Sequence, residues 1–241
     1  MSFTSEWLLV AGILAFYVHD AARLAYFDEV VVAGGRQWRV AVEAAVEMRG
    51  RFLWIPSPLL PARTALRASW LAPADQGDTD TQESLATFAR SLWPIRAGCV
   101  VAGMIVLIAL PALLLWAAPP TWLLACLVAW LLVSLALVGT VVAQRRRLGL
   151  SGRQVASLAT ECLLCPPYTA NLYRKLCDLR GFRGDPIAFA ATLPATQRQA
   201  LLAAIECRIA LFGTSDGEVA CKLQQARSRI RIALATPGIE P

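Results

Sequence analysis

The sequence predicts an α-helical integral membrane protein with three transmembrane helices, a small cytoplasmic antiparallel β meander between the first two, and an all-α cytoplasmic C-terminal domain. Of the residues, 57% are hydrophobic and only 17% are charged, whereas an ordinary soluble domain is about 25% charged. The apolar residues are concentrated in a few long stretches, and arginines flank these stretches on one side. The apolar excess therefore belongs to segments that span a bilayer.

The two clearest spans are residues 97–116 and 121–143, neither of which contains a charged residue. Each is close to the ~20 residues that a helix needs to cross a hydrocarbon core. Residues 117–120, Ala-Ala-Pro-Pro, are predicted to form an external turn. Because a connection this short cannot recross the bilayer, the two spans are expected to form an antiparallel helical hairpin.

A third span is predicted over residues 7–27, after a short external N-terminus at residues 1–6. Its last third contains His19, Asp20 and Arg23, which are candidate intramembrane ionisable residues. Charged side chains at membrane depth mark ion or proton paths when they face a bundle interior. The favoured alternative is that they lie at the interfacial end of the span, where long side chains reach the headgroups.

The distribution of arginines predicts the orientation of the spans. Arginines follow the first and third spans and precede the second, whereas residues 1–6 and 117–120 contain neither Lys nor Arg. Cytoplasmic flanks carry the excess of basic residues. We therefore expect a multi-pass protein of a bacterial-type inner membrane, with its N-terminus outside and its C-terminus in the cytoplasm. The residues expected to contact anionic lipid headgroups are Arg145, Arg146 and Arg147.

Residues 28–72 are expected to form the small β meander with a proline-rich arm. Alternating apolar and polar residues in "QWRVAVE" are typical of a half-buried strand, and neighbouring apolar runs predict three or four strands in all. The stretch "IPSPLLPARTALRASWLAP" then brings four prolines. Because proline lacks a donor for the strand ladder, this stretch is predicted to be a covering arm. Residues 73–96 are expected to form an acidic loop and an interfacial helix.

Residues 144–241 are predicted to form a basic helical cytoplasmic domain, with twice as many basic as acidic residues. Ser151 with Gln154 and Thr196 with Gln199 fit capping boxes, and Asp185 before a proline fits an N-cap. The last helix carries cations that are a candidate contact for an acidic partner. These are Lys222, Arg227, Arg229 and Arg231.

The stretch "CLLC" raises the question of a metal or redox site. Cys162 and Cys165 are three residues apart, which on one helix would place both thiols on the same face, and Cys177 follows in the next helix. Zinc is the cofactor that such thiols would hold, although a structural zinc site needs four ligands. The favoured alternative is that these cysteines are small buried hydrophobic residues, in which case no cofactor is expected.

No phosphate-binding, dinucleotide-binding, metalloprotease or nucleophile-elbow motif is present in the sequence. An enzyme is therefore disfavoured, and nucleic acid is not an expected partner. The leading hypothesis is an inner-membrane-anchored interaction or scaffolding subunit that binds a protein partner or a second copy of itself. The alternatives are a cytoplasmic-facing thiol or metal sensor that uses the cysteines, and a subunit of a membrane transport complex that uses Asp20.

Overall fold

The computed structural model describes residues 3–34, 38–40, 45–48, 51–54, 63–71, 80–116, 118–212 and 218–235. The described chain is mostly helical, with small antiparallel sheets. Its helices are α1 Phe3–Ala21, α2 Gln82–Ser91, α3 Trp93–Met104, α4 Leu110–Leu115, α5 Pro120–Gln144, α6 Gly152–Leu164, α7 Pro166–Ala170, α8 Leu172–Arg180, α9 Pro186–Ala190, α10 Ala195–Phe212 and α11 Glu218–Ala235. Its strands are β1 Arg23–Tyr26, β2 Glu29–Gly34, β3 Arg39–Val40, β4 Ala45–Met48, β5 Arg51–Trp54 and β6 Thr64–Ser69.

Two helices in the described residues are long and apolar enough to be candidate membrane spans. They are Trp93–Leu115, which contains α3 and α4, and Pro120–Gln144, which is α5. Their bounds agree with the predicted spans 97–116 and 121–143 to within about one helical turn. Residues Gln82–Ser91 before them form the helix expected within residues 73–96, and the acidic loop that precedes it lies outside the described residues.

A π-helical segment, Ile105–Ala109, joins α3 to α4. The N–H group of Leu110 donates to the carbonyl of Ile105, five residues earlier. Pro111 follows at once, and proline both lacks an N–H donor and clashes with the carbonyl four residues before it. The wider turn shifts the backbone hydrogen bonds by one residue, so the helix does not require a bond from Pro111 to this carbonyl. One continuous helix can therefore accommodate the proline.

The first helix is shorter at its C-terminal end than the predicted span 7–27. Helix α1 begins at Phe3 and ends at Ala21, and Arg23–Tyr26 form β1, which lies beside β5. The prediction of a helix through residue 27 is therefore wrong. The physical reason is that the backbone groups after Arg23 bond to a neighbouring strand, an interaction that the apolar character of Leu24–Phe27 does not reveal.

The strands form two three-stranded sheets rather than one meander, with strand orders β1-β5-β4 and β3-β2-β6. Strand β6 lies inside the predicted proline-rich arm and pairs with β2 along its whole length, from Glu29 opposite Ser69 to Gly34 opposite Thr64. Three prolines of the arm precede β6 and Pro73 follows it, and Thr64–Ser69 itself contains none. Its alternately buried side chains suit a strand, so the prediction of a covering arm is wrong for these residues.

The chain divides into two compact units. Unit 1 comprises Met1–Arg23, Ile55–Arg63 and Arg90–Arg180, and unit 2 comprises Leu24–Trp54, Thr64–Ala89 and Gly181–Pro241. Unit 1 thus combines α1 and both candidate spans with α6, α7 and α8. The boundary at Arg180 falls within residues 144–241, which the sequence suggested as a single helical domain.

Local start signals were predicted well for two helices of the C-terminal half. Ser151 caps α6 through a reciprocal capping box with Gln154, and Asp185 caps α9 by accepting a hydrogen bond from the N–H group of Ile187. The Thr196 box is wrong, because α10 begins at Ala195 and Thr196 lies inside it. Within unit 2, the largest fully buried side chains include Trp70 and Phe189.

Candidate functional site

The cysteines do not form the predicted arrangement on one helix face. Helix α6 ends at Leu164, and Cys165 has an extended backbone, with φ −135° and ψ 106°. Pro166 explains this break, because a proline disfavours helical geometry at the residue before it. Burial raises the pKa of the Cys162 thiol to about 12, whereas reactive thiols have a lowered pKa. Cys177 is also buried, in α8.

A metal site is not visible in the described part of the chain. Among those residues, no group of three or more His, Cys, Asp and Glu side chains is placed to hold a metal ion. His19 is exposed on α1. The donors predicted for zinc are therefore not gathered around a common point in the described structure.

Unit 1 instead contains a charged cluster around Lys175, which we call the Lys175 cluster. The Nζ atom of Lys175 lies 3.0 Å from Oδ1 of Asp20 and forms a second ion pair with Oε2 of Glu161. It also lies 4.1 Å from the centre of the Tyr168 ring, within the range of a cation–π interaction. The cluster therefore joins α8 to the end of α1, to α6 and to α7.

Charge and burial in the Lys175 cluster act against each other. Burial alone would lower the pKa of Lys175, but hydrogen bonds and charges from Glu161 and Asp20 outweigh it and raise the pKa. Burial would raise the pKa of Glu161, but the Lys175 ammonium and the Ser157 hydroxyl lower it. In both groups the pairing favours the charged form. The Lys175 ammonium and the Glu161 carboxylate therefore stabilise each other in their ionised states.

A second polar contact lies one turn away, at the junction of α7 and α8. Asn171 is fully buried, and its Nδ2 atom donates to the backbone carbonyl of Tyr17 at 3.1 Å. Arg174 donates to Oδ1 of Asn171 at 2.8 Å, and its guanidinium carbon lies 5.8 Å from the centre of the Tyr17 ring. This contact holds the start of α8 against α1 with buried hydrogen bonds, which are costly to leave unmade.

Thr169 of α7 forms the third polar contact, against the second candidate span. Its hydroxyl donates to the carbonyl of Cys162 at 2.8 Å and accepts from Nε1 of Trp130 at 3.3 Å. The hydroxyl of Ser134 lies 3.2 Å away from it. Trp130 and Ser134 both lie in the middle third of α5, so α7 packs against the centre of this span rather than beyond its end.

The other predicted site residues have different surroundings. Asp20 pairs with Lys175, whereas the side chain of Arg23 lies outside the described residues. Arg229, predicted to contact an acidic partner, forms an ion pair with Asp185 inside unit 2. The remaining basic candidates are exposed on the surface. They are Arg145, Arg146, Arg147, Lys222, Arg227 and Arg231.

Sequence reasoning missed Lys175, Thr169 and Asn171 as members of a site. The available signal was weak: a lysine in a helix whose buried residues include Leu172 and Cys177, and a glutamate, Glu161, near the end of α6. Chemically, the Lys175 cluster holds helices together, because its ammonium is already engaged by two carboxylates and a ring.

No protein-family model matches the chain, and no curated protein or solved structure is significantly similar to it.

Proposed function

We propose that the protein is a membrane-anchored interaction subunit, in which unit 1 is the anchor and unit 2 presents a binding surface in the cytoplasm. The observation that carries this proposal is the Lys175 cluster. Its ammonium is bonded to Asp20 and Glu161 and stacked on Tyr168, an arrangement suited to fixing helices rather than to attacking or transporting a substrate. A scaffold requires a rigid anchor of this kind.

The anchor has three spans in this proposal, with α1 as the first. Helix α1 has 19 residues, or about 28 Å at 1.5 Å per residue, which is close to the thickness of a hydrocarbon core. It packs against α4, the π-helical segment and α7. Large apolar side chains remain exposed along it, including Leu8 at 72% and Phe16 at 57%, and lipid would cover them. The excess of arginines after the third span favours a cytoplasmic C-terminus.

The anchor also includes a re-entrant segment made of α6 and α7. Helix α6 packs along α5, and α7 contacts α1, α3 and α6. The Thr169 hydrogen bonds at the middle of α5 support a position for α7 well inside the bilayer. Leu164, at the end of α6, is 78% exposed and would face lipid there. Backbone that does not span the membrane is tolerated at such depth where protein packs around it.

A photocrosslinking experiment tests the partner surface of unit 2. A photoreactive amino acid is placed at Arg227 or Ile232, both exposed on α11, and at Leu132, exposed on α5, as a lipid-facing control. In native membranes we expect one discrete protein adduct from the two α11 sites and none from Leu132. The adduct at Ile232 should disappear when Arg227 and Arg231 are replaced by Glu. Monomer alone from both α11 sites would contradict the proposal.

Two other functions, a thiol or metal sensor and a membrane transport subunit, require different properties of the cysteines and of Asp20. A thiol or metal sensor needs reactive cysteines, so metal analysis and thiol labelling of wild type and Cys162→Ser/Cys165→Ser would reveal it. Burial of Cys162 favours slow labelling and no bound zinc.

A transport subunit needs Asp20 to leave Lys175 during each cycle. A change of ion flux in vesicles with Asp20→Asn would support that function.

A further inference from the structure

A group of arginines surrounds one end of the candidate helical hairpin. We call this group the basic collar. It consists of Arg96, Arg145, Arg146, Arg147 and Arg153. Gly98 is packed so closely on Leu137 that an added Cβ atom would lie 2.5 Å from Cδ2 of that leucine. The first turns of α3 therefore lie beside the last turns of α5, and α6 begins a few residues after α5 ends. All five arginines accordingly lie at the same end of unit 1.

The collar arginines differ from Arg174, Arg208 and Arg229 in their contacts. All five collar side chains are exposed. Arg174 is bonded to Asn171, Arg208 to the carbonyl of Tyr26, and Arg229 to Asp185. Within the described residues, no carboxylate forms an ion pair with any collar guanidinium. The collar therefore concentrates positive charge that the described chain leaves uncompensated.

The position of the collar indicates which class of ligand it would bind. Arg96 lies over the ring of Trp93, with its guanidinium carbon 5.9 Å from the ring centre, and Trp93 is 64% exposed. Exposed tryptophan next to arginine at the end of an apolar helix is typical of the headgroup layer. Guanidinium groups bind phosphate oxygens bidentately. The group found at this depth with that chemistry is the phosphate of a phospholipid.

We propose that the basic collar binds the headgroups of anionic phospholipids. This inference rests on the proposed membrane anchor and adds its lipid selectivity. The net negative charge of such a headgroup matches the uncompensated arginines, whereas a zwitterionic headgroup carries its own cation. Three consecutive arginines after α5 can each approach a different lipid phosphate, since no ion pair within the described residues holds them in place.

The experiment compares two triple variants of the full-length protein in lipid nanodiscs. Arg145→Gln/Arg146→Gln/Arg147→Gln removes three collar charges. Lys222→Gln/Arg227→Gln/Arg231→Gln removes three exposed charges from unit 2 as a matched control. Native mass spectrometry then measures the retention of phosphatidylglycerol relative to phosphatidylcholine. We expect the collar variant to lose roughly a hundredfold in this preference, and the control variant to match wild type.

Three results would overturn the proposal. The collar variant could retain the lipid preference of wild type, both triple variants could lose it equally, or glycerol phosphate in solution could displace the lipid completely. The last result would identify a site for soluble phosphate rather than for a membrane lipid. Insertion into nanodiscs of pure phosphatidylcholine is measured in parallel. If the protein inserts into these nanodiscs but shows no preference for phosphatidylglycerol, the proposed lipid site is wrong and the proposed membrane anchor is still supported.

Discussion

Lys175 and Asp20 lie 3.0 Å apart, from Nζ to Oδ1, and this ion pair joins α8 to the last turn of α1. Both side chains are largely buried, with 13% and 10% of their surface exposed. An ion pair with so little solvent around it is costly to break on one side only, because the remaining charge keeps its burial but loses this ion pair. The consequences of the pair are therefore measurable.

Replacing Lys175 by Met should lower the free energy of unfolding by about 3 kcal/mol, since Asp20 would be left buried without its ammonium. Adding Asp20→Asn should recover part of this loss, so the double variant should be more stable than the sum of the single effects predicts. Arg227→Met, an exposed site on α11, is the control and should change little. Unfolding by denaturant in detergent micelles is measured for wild type, both single variants, the double variant and Arg227→Met, and additive single effects would contradict the coupling.

The Lys175 cluster also predicts how stability depends on pH. Because pairing lowers the pKa of Glu161, its stabilising effect is complete above its unfolded pKa of about 4.3 and is lost as pH falls through the folded pKa. Because pairing raises the pKa of Lys175, its effect is complete below about 10.4 and is lost as pH rises through the folded pKa.

Melting temperatures from pH 3 to pH 11 should therefore show a plateau with a decline at each end. Glu161→Gln should lower the plateau and weaken the acid decline, whereas Glu206→Gln, an exposed site on α10, should leave both unchanged. An acid decline of equal size in wild type and Glu161→Gln would show that other carboxylates cause it.

Thr169→Val should destabilise unit 1 by about 1–2 kcal/mol, because the hydrogen bonds of the hydroxyl to the Cys162 carbonyl and to Trp130 would be lost in a buried site. Thr160→Val is the matched control, since that threonine is exposed and donates to the carbonyl of Ala156 in its own helix. Unfolding in a mixed detergent measures the difference. Equal stability of the two variants would indicate that α7 does not depend on these bonds.

Gly98→Ala should destabilise the candidate hairpin by about 1–3 kcal/mol, because the new Cβ atom would lie 2.5 Å from Cδ2 and 2.9 Å from Cγ of Leu137. Gly139→Ala should be neutral or stabilising, since no atom lies within 4 Å of its added Cβ and alanine favours a helix. The two variants make the same chemical change in neighbouring spans. A larger loss at Gly139 would contradict the packing of α3 on α5.

The sequence allowed prediction of those features that depend on local patterns. The long uncharged stretches form helices with nearly the expected bounds, because apolar length is a property of one segment. Ser151 caps α6 as expected, since its bonding partner is Gln154, three residues away. Strand β6 was not predicted, because the neighbouring prolines were taken to exclude a strand over residues that themselves contain no proline. The structure of these residues is determined by pairing with β2, which is distant in the sequence.

The candidate site could not be predicted, because its contacts join residues far apart in the chain. Lys175 meets Asp20, and Asn171 meets Tyr17, across more than half of the sequence. The sequence instead placed Asp20 and Arg23 three residues apart in one predicted helical span. That geometry is lost because α1 ends at Ala21, before Arg23. The two cysteines of the "CLLC" stretch have helical spacing, but Pro166 favours an extended backbone at Cys165, so α6 ends before Cys165.

The most direct test of the proposed membrane anchor is the membrane depth of Leu164, whose side chain is exposed on unit 1. A single cysteine at this position, with the native cysteines replaced by alanine, is treated with a membrane-impermeant maleimide in sealed vesicles of each orientation. A cysteine at Ile232, 67% exposed on α11, is the positive control. We expect no labelling of residue 164 from either side until detergent is added, because lipid covers the re-entrant segment. Labelling of residue 164 as fast as residue 232 in intact vesicles would contradict it.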